Sequence, residues 1–195
     1  MISKERLLNL YVDQKKSSSE IAHIFKCSLN QVNYWLIKYK IKKRTISQAL
    51  YNKHNPKGDP FEYVYPKTFK DALLFGLGMG LYWGEGNKRN KNSVRLTNGD
   101  PKMIKKFIIF LKTIFNIDKN KLKFGLQVFK DTAPSKALAF WRRELAEPKS
   151  KFQKVVILPS RGIGTYKHKL EYGVLTIYFN NTKLRDTLCN LMETI

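Results

Sequence analysis

The sequence has few of the residues that build disulfide scaffolds and zinc sites. It contains only two cysteines, Cys27 and Cys189, in 195 residues, and their spacing matches neither a disulfide framework nor a metal motif. The three histidines, His23, His54 and His168, are scattered, and none lies at ligand spacing from a cysteine or a carboxylate. We therefore expect an intracellular, cytoplasmic protein with reduced thiols and no zinc centre.

Long apolar runs are lacking as well. The longest apolar stretch of low charge covers residues 73–84, which is too short to span a bilayer, and the polar N-terminus has no features of a secretory signal. We expect neither a membrane span nor a membrane-bound partner. Hydrophobic residues nevertheless make up 43% of the chain, which is typical of a folded globular protein.

Acidic residues are scarce relative to basic ones. The chain has 15 Asp and Glu against 37 Lys and Arg, a formal net charge of +22, and the basic excess is present on both sides of residue 70. A charge this far from zero destabilises a compact chain by self-repulsion, and a polyanionic partner offsets that cost. We favour double-stranded DNA, and a location at the nucleoid, over an anionic membrane or a generally lysine-rich solvated surface.

Residues 1–44 predict a small all-α domain of three short helices. Ser19 is the expected N-cap of the second helix and Ser28 that of the third, in which apolar residues recur at i, i+3, i+4 and i+7 from Val32. The pattern SxEIAxxFxCSxxxVxxWL resembles the helix-turn-helix units of resolvases, transposases and small bacterial regulators. That resemblance implies that the helix after Ser28 is a DNA recognition helix.

Amide and basic side chains on and after this third helix are candidate DNA contacts. Asn and Gln side chains can bond base edges in the major groove, and lysine suits a phosphate. A solvated polar helix face is the alternative, but the basic run KYKIKKR, residues 38–44, favours DNA. The predicted contacts are Asn30, Gln31, Asn33, Tyr34, Lys38, Lys42, Lys43 and Arg44.

Residues 45–70 predict a linker, because they include the turn-forming run NPKGDP and a further proline. Beyond it, helical and strand-like patterns alternate, which indicates an α+β domain over residues 71–195. We predict helices over 71–83, 101–116, 135–145 and 182–194, and strands over 93–97, 122–129, 155–158 and 174–179.

Glycine is concentrated in the most apolar segment, FGLGMGLYWGEGNK, residues 75–88. Gly76, Gly80 and Gly84 recur at i, i+4 and i+8 and therefore share one helix face. Each interior glycine costs about 1 kcal/mol relative to alanine, and the close approach of a second helix is a tertiary reason to accept that cost. A nucleotide-binding loop is an alternative, but the spacing does not match GxGxxG and no GK[ST] follows, so we expect no small-molecule cofactor.

The run GMGLYWGEG, residues 78–86, resembles a divergent LAGLIDADG motif of the homing endonucleases. That resemblance implies an αββαββα domain, here with an inserted helix at 135–145, whose sheet forms a saddle on the DNA. It also implies that two motif helices pack face to face, so a chain with one motif forms a homodimer on a pseudo-palindromic site. In this family the acidic residue at the penultimate motif position, here Glu85, holds a catalytic divalent metal such as Mg²⁺. A polar residue after the second strand, here Asn98, lies beside the metal.

The predicted sheet has a second face that suits DNA. If the apolar residues of each strand face the helices, the alternate residues form a polar and basic surface, although an ordinary solvated face is the alternative. The glycine-bearing basic loop at 160–167 either grips a phosphate or is a mobile connector. With the basic residues that follow the motif, the predicted contacts are Lys88, Arg89, Arg95, Thr97, Lys123, Gln127, Thr176 and Tyr178.

Two functions fit these features best. The acidic residue Glu85 favours a metal-dependent, site-specific endonuclease. The helix-turn-helix pattern and the divergence of the motif favour a transcriptional regulator that binds DNA without cutting it. A role in RNA maturation is a third, more distant alternative.

Overall fold

The computed structural model describes residues 2–159 and 170–194, and the chain divides into two compact units, Met1–Pro60 and Phe61–Ile195. Each unit has its own hydrophobic core. In the described part of the chain, no helix combines the length and the apolar character that crossing a lipid bilayer requires.

The N-terminal unit is all helical, as predicted. Its helices are α1 (Lys4–Leu8), which continues as a π-helical turn (Asn9–Asp13), α2 (Ser18–Phe25), α3 (Leu29–Lys38) and α4 (Ile46–His54). The core of this unit is formed by buried aliphatic and aromatic side chains of the first three helical segments, among them Leu7, Tyr11, Ile21, Val32 and Leu36.

The connection between α2 and α3 is a tight turn with well-defined caps. Ser17, rather than the expected Ser19, caps α2, because its side chain and that of Glu20 form a reciprocal capping box. The hydrogen bonds from Ser17 also lower the pKa of Glu20. Lys26 ends α2 in the left-handed region at φ 49°, and Ser28 caps α3 by accepting a hydrogen bond from the backbone N–H of Gln31 at 3.2 Å, as predicted.

Helix α4 corrects the predicted linker. Residues 46–54 are helical because Thr45 and Gln48 form a second capping box, although α4 buries none of its side chains. The division between the two units, after Pro60, lies inside the range 45–70 that the sequence predicts to be irregular.

The C-terminal unit alternates helices and strands. Its described elements in chain order are α5 (Phe69–Glu85), β1 (Val94–Asn98), α6 (Pro101–Ile114), β2 (Leu122–Phe129), α7 (Pro134–Leu145), β3 (Val156–Leu158), β4 (Val174–Phe179) and α8 (Thr182–Glu193). Short 3-10 turns at Lys119–Lys121 and Lys149–Lys151 precede β2 and β3. This order confirms a mixed α+β fold.

The strands form one mixed sheet in the order β1-β4-β2-β3. Strand β4 is antiparallel to both β1 and β2, and β3 is parallel to β2. The predicted strand at 93–97 is present as β1, but the αββαββα order that the resemblance implies has two strands between α5 and α6, and in place of the second the structure has an isolated bridge between Gly86 and Leu96. The reason lies in the intervening turn, where the side chains of Asn87 and Asn90 accept local backbone hydrogen bonds and so compete with ladder formation.

The core of this unit lies on one face of the sheet. Leu96, Phe124, Leu126 and Ile177 are fully buried there, and Phe107 and Phe110 of α6 are buried in the same cluster. The opposite strand positions are more polar, so the alternation predicted from the sequence is confirmed for β2 and β4. The fold therefore leaves the second face of the sheet for a separate role.

Candidate functional site

Helix α3 presents a polar face on the side opposite its buried residues. Val32 and Leu36 are fully buried. The predicted contacts Asn30, Gln31, Tyr34 and Lys38 are exposed, and Asn33 is partly exposed. Ile37 is 68% exposed on the same face and was missed, although its position three residues after Tyr34 is the signal that could have found it.

The basic residues that follow α3 differ in their environments. Lys42 and Lys43 are exposed, and the Lys38 ammonium lies 4.8 Å from the centroid of the Trp35 ring. Arg44 instead donates hydrogen bonds from its guanidinium to the carbonyl oxygens of Lys15, at 2.8 Å, and Lys16. The same guanidinium lies over the ring of Tyr11 at 4.2 Å. The structure thus gives Arg44 a role inside the N-terminal unit, and we remove it from the predicted phosphate contacts.

Replacing Arg44 with alanine should destabilise the N-terminal unit rather than weaken DNA binding directly. Because hydrogen bonds from a charged donor are lost, we expect the free energy of unfolding to fall by about 2 kcal/mol. Lys42→Ala and Lys43→Ala are matched controls that should leave stability unchanged. Each should reduce the slope of log K against log salt by about 1 in DNA-binding titrations. Urea denaturation followed by circular dichroism measures the first effect, and an unchanged midpoint for Arg44→Ala would contradict it.

The second face of the sheet carries a cross-strand row of polar residues. Arg95, Tyr178 and Lys123 lie side by side on β1, β4 and β2, and the Arg95 guanidinium is 5.1 Å from the centroid of the Tyr178 ring. In the next row, Thr97 and Thr176 share a hydrogen bond of 2.8 Å.

Not every predicted contact on this face is accessible. Thr176 is only 6% exposed and its hydroxyl is bonded to Thr97, so it organises the surface rather than presenting itself to a partner. Its neighbour Gly125 is also buried, because the ring of Tyr178 lies over it. Lys123 is exposed and Gln127 is partly exposed.

The glycines of α5 fall into two groups. Gly76, Gly80 and Gly84 are exposed, and beyond the backbone of its own helix and its chain neighbours a methyl group on any of them would meet no atom of the described residues within 4 Å. Gly78 is different, because a methyl group there would lie 2.1 Å from Cγ of Phe110. Packing inside the unit therefore accounts for Gly78 but not for the other three. We call the exposed face that carries Gly76, Gly80 and Gly84, together with the exposed Leu73 and Leu77, the glycine face.

Glu85 is the last residue of α5 and is exposed. Among the described residues its carboxylate has no hydrogen-bond or ion-pair partner. A helix C-terminus disfavours negative charge, and Lys88 counteracts this, because its ammonium donates to the carbonyl oxygens of Trp83 and, at 3.5 Å, Tyr82. Arg185 of α8 in turn donates to the carbonyl oxygen of Lys88.

Lys88 is therefore a helix-capping residue, which differs from the predicted role as a DNA contact. The next basic residue, Arg89, is exposed in the turn and keeps its predicted role as a hypothesis. Sequence alone does not distinguish the two, because the partners of Lys88 are backbone carbonyls that become available only when α5 ends.

Asn98 lies at the end of β1, where its carboxamide oxygen accepts a hydrogen bond of 2.8 Å from the N–H of Asp100. The Gly86–Leu96 bridge, and a hydrogen bond of 2.9 Å from the Asn87 N–H to the Arg95 carbonyl, hold the end of α5 against β1. The end of α5, which carries Glu85, therefore lies beside β1 at the edge of the sheet.

A single chain offers a metal few ligands. In the ranges 2–159 and 170–194, no three His, Cys, Asp or Glu side chains form a cluster that could hold a metal ion. Glu85 thus contributes one carboxylate, and further ligands would have to come from a second chain, substrate phosphate or water. The loop at 160–167 and His168 lie outside the described residues.

The chain matches no protein-family model. Neither curated proteins nor solved structures gave a match. The resemblance of residues 78–86 to a LAGLIDADG motif therefore has only the motif and the order of elements as its basis.

Tyr82 lies in α5 three residues before Glu85, and its side chain, including the hydroxyl, is buried in the core. The residue is fully buried, and among the described residues the hydroxyl has no hydrogen-bond partner. Its ring stacks on Phe107 with centroids 6.0 Å apart. Burial, with a smaller contribution from the neighbouring Cys189, raises the pKa of Tyr82 to about 12.

Tyr82→Phe should stabilise the C-terminal unit. Removal of an unsatisfied buried hydroxyl is expected to raise the free energy of unfolding by about 1 kcal/mol at pH 8. The wild-type residue also makes stability fall as pH rises from 10 to about 12, because the unfolded tyrosine ionises first while the folded one stays neutral. The variant should lack this part of the alkaline loss. Urea denaturation at pH 8 and pH 11 measures both effects, and the same alkaline loss in both proteins would contradict the assignment.

Proposed function

We propose that this protein is a DNA-binding homodimer with a LAGLIDADG-type domain, and that it cleaves duplex DNA at a specific site through a divalent metal held by Glu85. The observation that carries the proposal is the glycine face of α5. Within the ranges that the structure describes, no other segment covers this face, and the helix that bears it ends on an exposed carboxylate without a partner.

DNA binding is supported by basic polar surfaces on both units. The N-terminal unit offers the exposed face of α3, followed by Lys42 and Lys43. The C-terminal unit offers the row of Arg95, Tyr178 and Lys123 on the free face of its sheet. Each surface lies opposite a hydrophobic core, so its polar residues face outward, where phosphates and base edges can be contacted.

The homodimer is supported by the free-energy cost that the glycines of this face impose on helix α5. Three exposed glycines inside one helix reduce its stability, yet no other segment in the described part of the chain occupies the space that their missing side chains leave. Close approach of a second α5 would use this space. The flanking Leu73 and Leu77, which are 59% and 46% exposed, would be buried in the same contact.

The proposed metal site would combine Glu85 of one chain with ligands that include a residue of a second chain. Mg²⁺ is commonly bound by one or two carboxylates together with substrate phosphates and water. Glu85 is exposed and unpaired, so its carboxylate is available for such a site, and Lys88 holds the helix end that carries it. When bound, a divalent cation would neutralise charge at the scissile phosphate and make the attacking water more acidic.

The chain's own side chains would position the DNA at this site. Arg95 and Lys123 would neutralise phosphates along the sheet, and the Thr97–Thr176 hydrogen bond would fix the strand spacing between them. Asn98 would contribute its carboxamide N–H group, because its oxygen is already engaged by Asp100. The element order α5, β1, α6, β2, β4, α8, with α7 and β3 inserted, follows the proposed αββαββα order except that one strand between α5 and α6 is reduced to an isolated bridge.

A transcriptional regulator that does not cut DNA is the second candidate. It is favoured by the engagement of the Asn98 oxygen and by the single carboxylate that each chain supplies. Both candidates share the same DNA-binding surfaces and the same proposed dimer, so they differ only in cleavage.

The two candidates are separated by a selection for cleavage. Full-length protein is incubated with a plasmid library that carries a randomised duplex cassette, with MgCl₂ in one arm and EDTA in the other, and the linearised ends are sequenced. Recovery of a pseudo-palindromic site only with MgCl₂ supports the endonuclease. Enrichment of bound duplexes with no cut ends supports the regulator, and failure to enrich any bound duplex would overturn both.

A further inference from the structure

The exposed face of α3 has an unusual composition for a surface in so basic a protein. Its sequence, LNQVNYWLIK, contains no arginine, and its single cation is Lys38. The ammonium of Lys38 lies over the rings of Trp35 and Tyr34, at 4.8 and 5.7 Å from their centroids. What remains on the face is a set of amides and an apolar side chain, Asn30, Gln31, Asn33 and Ile37.

These side-chain types favour one class of base pair. In the major groove, Asn and Gln pair with the N6 and N7 atoms of adenine, and apolar groups contact the methyl group of thymine. Guanine is recognised mainly by arginine or lysine, which this face lacks at its centre. The exposed aliphatic Ile37 lies outside the hydrophobic core of the N-terminal unit as far as the described residues define it, since the buried positions of α3 are Val32 and Leu36.

The spacing of these residues fits a short base-pair window. Asn30 and Ile37 are seven positions apart, which corresponds to about 10 Å along a helix axis. Base pairs are stacked about 3.4 Å apart, so the face spans about three of them. An amide at one end and an aliphatic group at the other would therefore reach base pairs about three steps apart.

We infer that α3 recognises a half-site of A·T base pairs, with its amides on adenine and Ile37 on a thymine methyl group. This inference rests on the proposed DNA binding and adds the chemical class of the sequence that is bound. It makes Asn30 and Ile37 specificity-determining residues, whereas Lys42 and Lys43 serve the backbone and add affinity without sequence preference.

The first test compares the motifs that variants select. Full-length wild type, Asn30→Ala, Ile37→Ala and the control Val12→Ala are each used to enrich duplexes from a randomised library. Val12 is a matched control because it is an exposed aliphatic residue of the same unit, at 50% exposure, outside α3. We expect Asn30→Ala and Ile37→Ala to lose sequence preference at positions that are A·T in the wild-type motif, and Val12→Ala to keep the motif.

The second test removes single atoms from the selected duplex. Deoxyuridine in place of thymidine removes the methyl group, and 7-deazaadenine removes the N7 acceptor. Each change should weaken wild-type binding by about tenfold at the affected position, and Ile37→Ala should be insensitive to deoxyuridine.

Three results would overturn the inference. The proposed preference for A·T pairs would be contradicted if the motif positions that depend on Asn30 or Ile37 prove to be G·C. Motifs unchanged in both variants would show that α3 does not contact bases, while the proposed DNA binding would stand. Enrichment of no duplex at all would remove both the inference and the proposed function.

Discussion

Glu85→Gln is expected to abolish metal-dependent cleavage while DNA binding is retained. The substitution keeps the size of the side chain and one acceptor oxygen, but it replaces the other oxygen with an NH2 group and removes the charge that a divalent cation requires. Metal stabilisation of the transition state is worth several kcal/mol, so cleavage of the selected site should slow by at least about a hundredfold. Time courses on a plasmid carrying that site, at fixed MgCl₂, measure the effect.

The control for this variant is Glu62→Gln, which removes an exposed carboxylate of the same unit outside the α5 end. It should cut at the wild-type rate. Stability should also be unaffected in Glu85→Gln, because the carboxylate has no partner among the described residues whose loss would destabilise the fold. Cleavage by Glu85→Gln at the wild-type rate would exclude this carboxylate from the reaction.

The elements that the sequence predicts well are those with strong local signals. The stripe from Val32 gives α3, the pair Asp100-Pro101 gives the start of α6, and the alternation in Leu122–Phe129 gives β2. These signals depend on neighbours within one or two turns. Helix α4 was missed because it buries nothing and therefore has no apolar stripe, although the Thr45–Gln48 capping box was visible in the sequence.

The roles of individual cations were harder to predict, because they depend on groups that are distant in sequence. Arg44 reaches carbonyl oxygens at positions 29 and 28 residues earlier in the chain, and no local pattern shows that these oxygens are available. The Lys88 ammonium already donates hydrogen bonds to carbonyl oxygens at the end of the preceding helix, α5. The number of basic residues therefore predicts a polyanionic partner, but it does not indicate which cations face that partner.

The roles of the α5 glycines also depend on groups that are distant in sequence. Helical spacing predicts that Gly76, Gly80 and Gly84 share one face. In the structure all three are exposed, and a methyl group added at any of them would meet no atom of another described segment within 4 Å. Spacing places Gly78 on another face, but it does not show that this face packs against Phe110. Only the packing of α5 on α6 shows that the core requires Gly78, whereas nothing among the described residues requires the other three glycines.

Gly80→Leu is expected to convert a dimer into a monomer without harming the fold of either chain. A side chain at this position starts in open space within one chain, and leucine is favoured over glycine in a helix by about 0.8 kcal/mol. The midpoint of urea unfolding, extrapolated to low protein concentration, should therefore stay the same or rise. In a pair of closely packed α5 helices the same side chain would separate the backbones. Sedimentation should then report a monomer, and affinity for the selected pseudo-palindromic duplex should fall by at least about a hundredfold as the linkage between half-sites is lost.

Gly78→Ala is the contrasting variant, because its methyl group would lie 2.1 Å from Cγ of the buried Phe110. Overpacking of this kind should cost about 1–3 kcal/mol of folding stability. The two variants thus act in opposite ways, one on association and the other on the fold. A Gly80→Leu protein that stays dimeric would exclude the glycine face as the contact. A wild-type protein that is monomeric both free and on its selected duplex would exclude the dimer, and with it a metal site shared between two copies of Glu85.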